Sequence, residues 1–397
     1  MLIKLCEVDL RKPIQSIYVD HRYSRLFLVV TWGYLPLGLV QMHCPPDERT
    51  IPHEKINKHI LEALGWKLWE YRMAGNLKDL NDIPEQFLPP ISVIVCTRDH
   101  ALSLRRCLKA LSELDYPTYE VVIIDNCSRD DSVARVAEQF AVRYAREDRP
   151  GLDWARNRGI QESQFDIIAY IDDDALATPG WLRGIAKGFA VPGVMAVTGM
   201  VLPAEIETAA QNEFEIYGGM NKGFAGYTIH RNHLKSPGLF WANNWGVGTN
   251  MAFRRDLFEA IGNFDVALDV GTPTNGAGDI EYFYRTVSSG YPLCYEPAAR
   301  VYHVHRRDRP ALMQQIYNNG RSFPAYLMTI ARNNPGQRWG VLWFGLRWWL
   351  WGWLLKRLMG SILKRDKLTM RFAYTELKGV FSALPAYRRS RQLARKQ

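Results

Sequence analysis

A strand of buried type that ends in three consecutive carboxylates is the feature that most constrains this chain. Residues 167–171 read Ile-Ile-Ala-Tyr-Ile, and Asp172, Asp173 and Asp174 follow directly. Ligands of open α/β sheets bind beyond the carboxyl ends of the strands. Adjacent carboxylates repel one another unless a cation or solvent neutralises them, and hard oxygen ligands suit Mg²⁺ or Mn²⁺. A solvated acidic turn before the next helix is the alternative that this segment alone leaves open.

Strand-type and helix-type segments alternate from residue 91 onward. Apolar runs typical of strands lie at residues 91–96, 121–125, 141–145 and 167–171. Apolar residues with helical spacing lie at 102–114, 130–140 and 152–162. This alternation predicts right-handed crossovers and a largely parallel sheet. Neither GxGxxG nor GxxxxGK[ST] follows the first strand, so a metal and arginine side chains would have to hold any phosphates.

Residues 1–85 have a different pattern and predict a small α+β accessory domain. Strand-type runs at 26–32 and 35–42 are joined near Gly33 as in a β-hairpin, and apolar residues recur every fourth position from Ile56 to Leu68. We expect a docking role for this unit.

The six cysteines have neither paired nor metal-type spacing, and the N-terminus becomes charged before any apolar core. Both features favour a cytoplasmic protein with reduced thiols.

The segment from Ile91 to His305 resembles the family 2 glycosyltransferases. The motifs that carry the resemblance occur in the family's order: ISVIVCTRD, YEVVIIDNCSRD, PGLDWARNRG, the acids at 172–174, GTNMAFRR at 248–255 and GDIE at 278–281. The resemblance implies a Rossmann-like GT-A nucleotide-sugar fold at 90–310. A helical, Trp-rich basic region follows at 311–397. It also implies inverting transfer of a sugar from a nucleotide-diphosphate sugar, expected to be UDP-linked, to a hydroxyl group.

The resemblance assigns donor-side roles to eight residues. Those expected to contact the nucleotide or diphosphate are Cys96, Thr97, Arg98, Asp125, Asn126, Arg156, Asp172 and Asp173. The acids match a DxD motif, in which Asp174 and Asp172 are the expected ligands of Mn²⁺ or Mg²⁺. The resemblance also makes His303 the expected third ligand; His303 and His305 share one face of a strand-type run, and His303 is the nearer of the two to the core. A pair of surface histidines is the alternative.

Sugar transfer to a hydroxyl requires a second carboxylate. One acid must take the acceptor proton, and a separate cation must stabilise the leaving diphosphate. The acids at 172–174 and 279–281 are over a hundred residues apart, which favours two distinct roles. The resemblance makes Asp279 the catalytic base. Without the resemblance, Asp279 and Glu281 would be interpreted as ordinary acids at a helix N-terminus, where the helix dipole stabilises negative charge.

The C-terminal region concentrates indoles and positive charge. Trp339 to Leu355 contains six of the 13 tryptophans, and residues 331–397 contain 15 Lys and Arg against two acids. We expect this region to bind an anionic membrane surface, on the inner face of the cell membrane. Arg347 and a length of about 17 residues disfavour a membrane span. A helical lid or a subunit interface is the alternative. The rest of the chain has a net charge of −4, and this negative charge disfavours nucleic acid as a partner.

Together these features predict a metal-dependent glycosyltransferase acting in polysaccharide, glycolipid or other glycan-precursor synthesis, with a glycan or lipid-linked acceptor. A nucleotidyltransferase acting on sugar phosphates is one alternative, although it would normally have a Gly-rich basic loop after the first strand, unlike CTRDHALS. A catalytically silent binding scaffold is another. The intact acids at both sites disfavour it.

Overall fold

The structure is a computed structural model, and it describes residues 2–45, 47, 49–75, 77, 80, 83–234 and 237–396. The N-terminal unit contains β1 (Leu2–Asp9), β2 (Ile17–Tyr18), β3 (Tyr23–Trp32), β4 (Leu35–His43), β5 (Thr50–Ile51) and α1 (His53–Met73). The predicted hairpin is β3–β4, which turns at Gly33 with φ of +60°. Helix α1 packs on this sheet, because Gly38 leaves room for Leu64, whose Cδ2 would lie 2.5 Å from an added Cβ.

The N-terminal unit contacts the rest of the chain through an apolar cluster, in which Val29 packs with Leu202 and Tyr295, and through polar side chains. Glu7 accepts hydrogen bonds from Arg300 Nη2 at 2.8 Å and from Tyr302 at 2.9 Å. Tyr34 donates to Asp115 at 3.0 Å. Arg300 is almost fully buried, whereas the Glu7 side chain is 40% exposed, so their ion pair lies at the edge of this contact. Independent folding of residues 1–85 and their docking role stay predictions.

The central unit is a sheet with helices on both faces. Its strands are β6 (Ile91–Thr97), β7 (Tyr119–Asn126), β8 (Arg143–Glu147), β9 (Ile167–Asp172), β10 (Ala175–Ala177), β11 (Ala196–Pro203), β12 (Tyr227–Ile229), β13 (Asn250–Arg254) and β14 (Leu293–His303). Its helices are α2 (Ala101–Ser112), α3 (Ser132–Ala137), α4 (Leu152–Glu162), α5 (Trp181–Phe189), α6 (Ala209–Tyr217), α7 (Arg255–Ile261) and α8 (Gly278–Ser288). The α/β fold class with a helical C-terminal region is confirmed.

The sheet is mixed rather than largely parallel. In the described part of the chain its order is β10-β14-β11-β13-β9-β6-β7-β8, with β12 added to β14. Strands β6 to β9 are parallel as predicted, whereas β13 runs antiparallel between β9 and β11. Because β13 is reversed, it begins at the edge where β9 ends. The loop before β13 therefore lies beside the acids after β9.

The strand register brings the polar strand ends together. Thr97 pairs with Asp125 across β6 and β7, and Cys96 pairs with Asp172 across β6 and β9. Asn250, the first residue of β13, lies opposite Ile171. The carboxyl ends of the parallel strands and the start of β13 consequently form one edge, where the fold class places its ligands.

Asn250 joins three strands and a helix where the ladder between β11 and β14 is interrupted. The register shifts between Gly199 and Met200, and the Asn250 amide donates to the carbonyl oxygens of Met200 at 3.0 Å and Ala299 at 2.8 Å. Its Oδ1 accepts from Trp181 Nε1 at 2.9 Å. All these groups are buried, so one side chain satisfies backbone groups that the interrupted ladder leaves unpaired.

We predict that Asn250→Ala lowers the free energy of unfolding by about 2–4 kcal/mol, because a buried group left without a partner costs about 1–3 kcal/mol. Urea unfolding of the full chain measures this change. Asn333→Ala, at the exposed end of α9 (Arg309–Asn333), is the control and should change stability by less than about 0.5 kcal/mol. Equal effects of the two substitutions would contradict the structural role of Asn250.

The C-terminal region is helical and packs on the central unit. It contains α9, α10 (Arg338–Trp343), a π-helix (Phe344–Leu355), α11 (Lys356–Leu363) and α12 (Lys367–Ala394). Helices α9 and α12 approach closely through Gly320 and Gly379, where an added Cβ would lie about 2 Å from a backbone oxygen of the other helix. Arg391 of α12 pairs with Asp265 at 2.5 Å. Within the described residues, no helix combines the length and apolar character needed to cross a membrane.

On α12, helical spacing predicts an apolar stripe of Met370, Ala373, Tyr374, Leu377, Val380, Phe381 and Leu384, but of these residues only Ala373 is buried. Phe372, Ala373 and Ala383 are buried, together with the polar Glu376. Met370, Tyr374, Phe381 and Leu384, which belong to the predicted stripe, are 38–78% exposed. Close approach to α9 requires small residues in α12. The hydrophobic periodicity of the sequence does not indicate where such residues lie. Large apolar side chains of the stripe are therefore left at the surface.

Candidate active site

A cavity of about 1010 Å³ opens at the polar edge of the sheet. One wall comes from strand ends and α8, and contains Arg156, Asp172, Asp174, Thr249, Asp279 and His303. The opposite wall comes from α9 and the π-helix, and contains Gln314, Asn318, Asn319, Trp349 and Trp353. The two acidic sites that the sequence separates by over a hundred residues thus face one space. The C-terminal region closes that space on its far side.

Asp172, Asp174 and His303 bring three ligand atoms together at one end of the cavity. One atom from each residue lies within 4.8 Å of the others. His303 Nε2 is 3.1 Å from Asp174 Oδ1, because β10 and β14 pair with Ala175 opposite His303. Two carboxylates and one imidazole are suitable ligands for Mn²⁺ or Mg²⁺. The residues therefore fit the divalent cation expected from the sequence.

The two carboxyl groups of this cluster have opposite electrostatic environments. Burial and then the charge of Asp174 raise the pKa of Asp172 to about 6, although Asp172 also accepts a hydrogen bond from Thr249 Oγ1. Burial by itself would raise the pKa of Asp174, but His303 and Arg306 outweigh it and keep that pKa below its usual value. Burial thus disfavours the charged form of Asp172, and a cation bound beside it would favour that form.

Asp173 points away from this cluster. Its Oδ2 accepts from Thr97 Oγ1 at 2.5 Å and lies 3.3 Å from His100 Nδ1. The hydrogen bond with Asp173 raises the pKa of His100. Asp173 and Thr97, both expected near the nucleotide, are buried against each other. Two of the three consecutive acids consequently face the cavity, while the middle one secures the end of β6.

Arg156 is buried between carboxylates in the cavity wall. Its Nη1 lies 2.8 Å from Asp153 Oδ1, one helical turn earlier, and 2.5 Å from Asp269 Oδ2. Burial and the charge of Asp269 raise the pKa of Asp153 well above its usual value. The negative charges of Asp279 and Asp172 also act on Arg156. The guanidinium is thereby fixed in position between the two acidic sites.

Asp279 is oriented by two backbone N–H groups. Its Oδ2 accepts from Gly248 N at 2.7 Å and its Oδ1 from Ile280 N at 2.9 Å. Burial and the charge of Asp269 raise the pKa of Asp279, and Arg156 opposes this shift. A Cβ added to Gly248 would lie 2.8 Å from Arg156 Nη2 and 2.9 Å from Asp279 Oδ2, so the glycine lets the two side chains meet there.

Helix α8 begins at Gly278, and its first turn directs the two acids of GDIE to different surroundings. Asp279 and Glu281 both lie in its first turn. Glu281 is buried away from the cavity, 2.8 Å from Arg285. Burial raises the pKa of Glu281, and Arg285 opposes the shift. The helix-terminal interpretation therefore describes Glu281, whereas Asp279 faces the cavity.

Of the eight residues expected to contact the nucleotide or diphosphate, Arg156 and Asp172 line the cavity, whereas the other six lie at the same edge of the sheet but outside its walls. Asp125 accepts from Tyr144 at 2.7 Å and from Ser128 N at 2.9 Å. Asn126 donates to the carbonyl oxygen of Arg149 at 2.7 Å and accepts from Gly151 N at 2.8 Å. Both amide atoms of Asn126 thus hold the loop before α4.

Cys96 and Arg98 flank the end of β6 in contrasting settings. Burial raises the pKa of the Cys96 thiol, which makes it a neutral packing group. Arg98 is exposed, and its Nε lies 4.0 Å from Asp99. Of these two, Arg98 is the residue that a ligand at the strand edge can reach.

Several cavity residues had no role in the sequence-based prediction. Asp269 contacts Arg156 across 113 residues, and no local pattern signals such a pair. Lys222 lies in the wall, where burial lowers its pKa and Asp279 opposes the shift. Asp153 could have been found, because it precedes Arg156 by three positions within PGLDWARNRG, the spacing of a helical ion pair. The aromatic wall from Trp349 and Trp353 also depends on long-range packing.

We predict that Asp174→Ala weakens Mn²⁺ binding by at least about 100-fold, because it removes one of the three ligand groups, a larger loss than the 10–100-fold typical of residues behind the ligands. Asp173→Asn is the matched control and should change the affinity by only a few-fold, since Asp173 faces Thr97 instead. Isothermal titration calorimetry of each full chain measures both. If the two variants lost Mn²⁺ affinity equally, the assignment of Asp174 to the metal site and of Asp173 to Thr97 would be wrong.

Comparison with known proteins gives one family for the central unit. The sequence model described as "Glycosyl transferase family 2" matches residues 92–262. The chain is similar to the glycosyltransferase AglE of Haloferax volcanii, with 27% identity over 216 residues, which cover 52% of this chain and 64% of that protein. It is also similar to the glucosyl-dolichyl phosphate glucuronosyltransferase of the same organism, with 26% identity over 44% of this chain and 56% of that protein. The chain thus spans less than two thirds of the length of these relatives.

A similar solved structure is the mannosyltransferase PcManGT from Pyrobaculum calidifontis, in complex with GDP-Man and Mn²⁺. The two chains have 19% sequence identity and a TM-score of 0.47. The superposition covers 85% of this chain and 84% of the other.

Proposed function

We propose that this chain is a family 2 glycosyltransferase of the GT-A type, which transfers a sugar, with inversion, from a nucleotide-diphosphate sugar to a hydroxyl group. The observation that carries this proposal is the cavity that joins the two acidic sites. Asp172, Asp174, His303, Asp279 and Arg156 all line this cavity, and the charges of Asp279 and Asp172 both act on Arg156. This arrangement supplies a cation site, a fixed positive charge and a separate base, which are the groups that the reaction needs.

Asp172, Asp174 and His303 would hold Mn²⁺ or Mg²⁺. Such a cation stabilises the negative charge that develops on the leaving diphosphate. Arg156 adds a guanidinium that cannot lose its proton and that its ion pairs hold in place. Arg306, 3.7 Å from Asp174, is a second group for diphosphate binding. We retain UDP as the expected donor nucleotide, on the likeness of the donor-side residues to the family.

Asp279 would accept the proton of the attacking hydroxyl. The N–H groups of Gly248 and Ile280 hold its carboxylate in one orientation. Its raised pKa makes it a stronger base than an ordinary aspartate, while Arg156 keeps the charged form accessible. A base that lines the same cavity as the cation cluster but is separate from it supports direct displacement, and hence inversion at the anomeric carbon.

We predict that Asp279→Asn lowers turnover by about 10²–10⁴-fold while Mn²⁺ and donor-nucleotide binding change little, because the amide keeps the shape but cannot take a proton. The substrate is first found by screening the purified chain against nucleotide sugars for release of nucleoside diphosphate. Glu281→Gln, in the same helical turn but facing Arg285, is the control for turnover. A parallel loss of nucleotide affinity in Asp279→Asn would place Asp279 in the donor site.

We also predict that activity falls on acidification through a pKa above the value of about 3.9 for an ordinary aspartate. Burial raises the pKa of Asp279, and the base acts only when deprotonated, so activity is present above that pKa and lost below it. The pH profile of kcat/KM is measured at saturating Mn²⁺, so that protons do not displace the cation. A profile that stays flat down to pH 4 would contradict this assignment.

The acceptor would occupy the half of the cavity that faces the C-terminal region. Gln314, Asn318 and Asn319 of α9 offer amide donors and acceptors there, and Trp349 and Trp353 offer indole faces. Amides bind hydroxyl groups, and flat aromatic faces pack against the apolar faces of sugar rings. These groups support a glycan acceptor, free or lipid-linked. Polysaccharide, glycolipid or glycan-precursor synthesis is the corresponding role.

The surface of the C-terminal region would bind the cytoplasmic face of an anionic membrane. Its exposed apolar side chains include Trp339 at 81%, Trp343 at 62% and Leu363 at 82% exposure. Contiguous exposed apolar residues of this kind indicate an interaction surface. The net charge of +13 over residues 331–397 would attract anionic headgroups, with about 1 kcal/mol for each Lys or Arg near the surface. Since the same region forms a cavity wall, the lid and membrane interpretations are compatible.

We predict that the full chain sediments with vesicles of phosphatidylcholine and phosphatidylserine, and that high salt releases only part of it, because inserted indoles are not screened. The variant Trp339→Ser/Trp343→Ser should bind several-fold more weakly. Trp66→Ser/Trp69→Ser removes two indoles exposed by 74% and 55% on α1 and should bind like the native chain. A native chain that stays in the supernatant, or equal losses in both variants, would refute the membrane proposal.

A further inference from the structure

We infer that Glu215 and His305 are positioning residues, which orient His303 for the cation. This inference rests on the proposed function, since it concerns the proposed metal site. Glu215 lies on α6 and His305 directly after β14. Neither side chain lines the main cavity, so both act behind the cluster of ligand atoms.

Three polar contacts connect Glu215 with Asp174. Glu215 Oε1 is 2.9 Å from His305 Nε2, His305 Nδ1 is 3.0 Å from His303 Nδ1, and His303 Nε2 is 3.1 Å from Asp174 Oδ1. His303 and His305 are almost fully buried, while the Glu215 side chain is 24% exposed. The contacts therefore run from the protein surface to the metal site, through two imidazoles that water hardly reaches.

The carboxylate sets the direction of the hydrogen bonds. A carboxylate only accepts, so His305 must donate from Nε2. A neutral imidazole has one N–H, which leaves the Nδ1 atom of His305 as an acceptor. The facing Nδ1 of His303 must then be the donor. The Nε2 atom of His303 faces the Asp174 carboxylate, to which it donates while it carries a proton. Once that proton is lost, Nε2 is available to a cation, because Nδ1 keeps its own proton for the bond to His305.

Without Glu215, the two imidazoles could reverse their hydrogen bond. His305 would then donate from Nδ1, and the proton of neutral His303 would lie on Nε2, where it blocks cation binding. A second partner that fixes the tautomer of a ligating histidine is a general feature of metal sites, and its loss typically weakens metal affinity 10–100-fold. Glu215 and His305 together supply such a partner.

The surroundings hold Glu215 and His305 in these positions. Helix α6 begins with a capping box of Thr208 and Gln211, and Gln211 Nε2 also donates to the backbone oxygen of His305 at 3.3 Å. Phe214 packs edge-on against the His305 ring at 4.7 Å. Gly219 has φ of +53°, and an added Cβ there would lie 2.8 Å from Glu215 Oε1. The fold thus reserves space for this carboxylate.

The test measures Mn²⁺ affinity of the full chain by isothermal titration calorimetry, without any substrate. Glu215→Ala and His305→Phe should each weaken Mn²⁺ binding about 10–100-fold. Glu215→Gln should retain affinity within a few-fold, because its side-chain oxygen can still accept from His305. Glu213→Ala is the matched control on the same helix, since Glu213 pairs with Arg309 instead, and it should bind like the native chain.

Imidazole ¹H–¹⁵N spectra of the metal-free chain provide a second measurement, which merely structural roles would not affect. They report which ring nitrogen carries the proton, and Glu215→Ala should shift the His305 proton from Nε2, which faces Glu215, towards Nδ1, which faces His303. Unchanged affinity and unchanged tautomers in Glu215→Ala, or equal losses in Glu213→Ala, would overturn the inference. A native chain that binds no Mn²⁺ would instead overturn the proposed metal-dependent function.

Discussion

Mutual repulsion among buried carboxylates is the constraint on which the rest of this structure depends. The acids that share or adjoin the cavity wall are Asp153, Asp172, Asp174, Asp269 and Asp279. Carboxylates at such separations raise one another's pKa unless positive charge intervenes. Arg156 supplies that charge for Asp153 and Asp269, and removing one partner of a buried ion pair typically costs about 3–5 kcal/mol. The remaining negative charge, around Asp172 and Asp174, is left for a cation.

The reversed direction of strand β13 places one short loop beside both acidic sites. Because it runs antiparallel between β9 and β11, the loop before it enters the site and presents Gly248 and Thr249. Thr249 hydrogen-bonds Asp172, and the Gly248 N–H group orients Asp279. One short loop therefore contacts both acidic sites. The C-terminal helices complete the cavity from the other side, so the region that exposes indoles to solvent also forms the proposed acceptor wall.

Much of the central fold could be predicted, since local sequence patterns indicate its parallel strands and the helices between them. The four parallel strands β6 to β9 and the helices between them follow from apolar runs separated by helical spacing, and β8 starts only two residues later than expected. The acids at 172–174, Asp279 and His303 were all selected from motifs, and the structure brings Asp172, Asp174, His303 and Asp279 to one cavity. The mixed character of the sheet was missed, because strand direction depends on connections rather than on residue patterns.

The sequence by itself determined which chemistry is available: three acids after a buried strand, an acidic helix start, two histidines and a basic, Trp-rich end. Only the tertiary structure decided which of these groups meet. Asp173 turns to Thr97 while its neighbours face the cavity, and Asn126 holds a loop. Asp269 reaches Arg156 across 113 residues. The physical reason is that side-chain periodicity is local, whereas pairing, burial and pKa depend on groups that packing brings from distant parts of the chain.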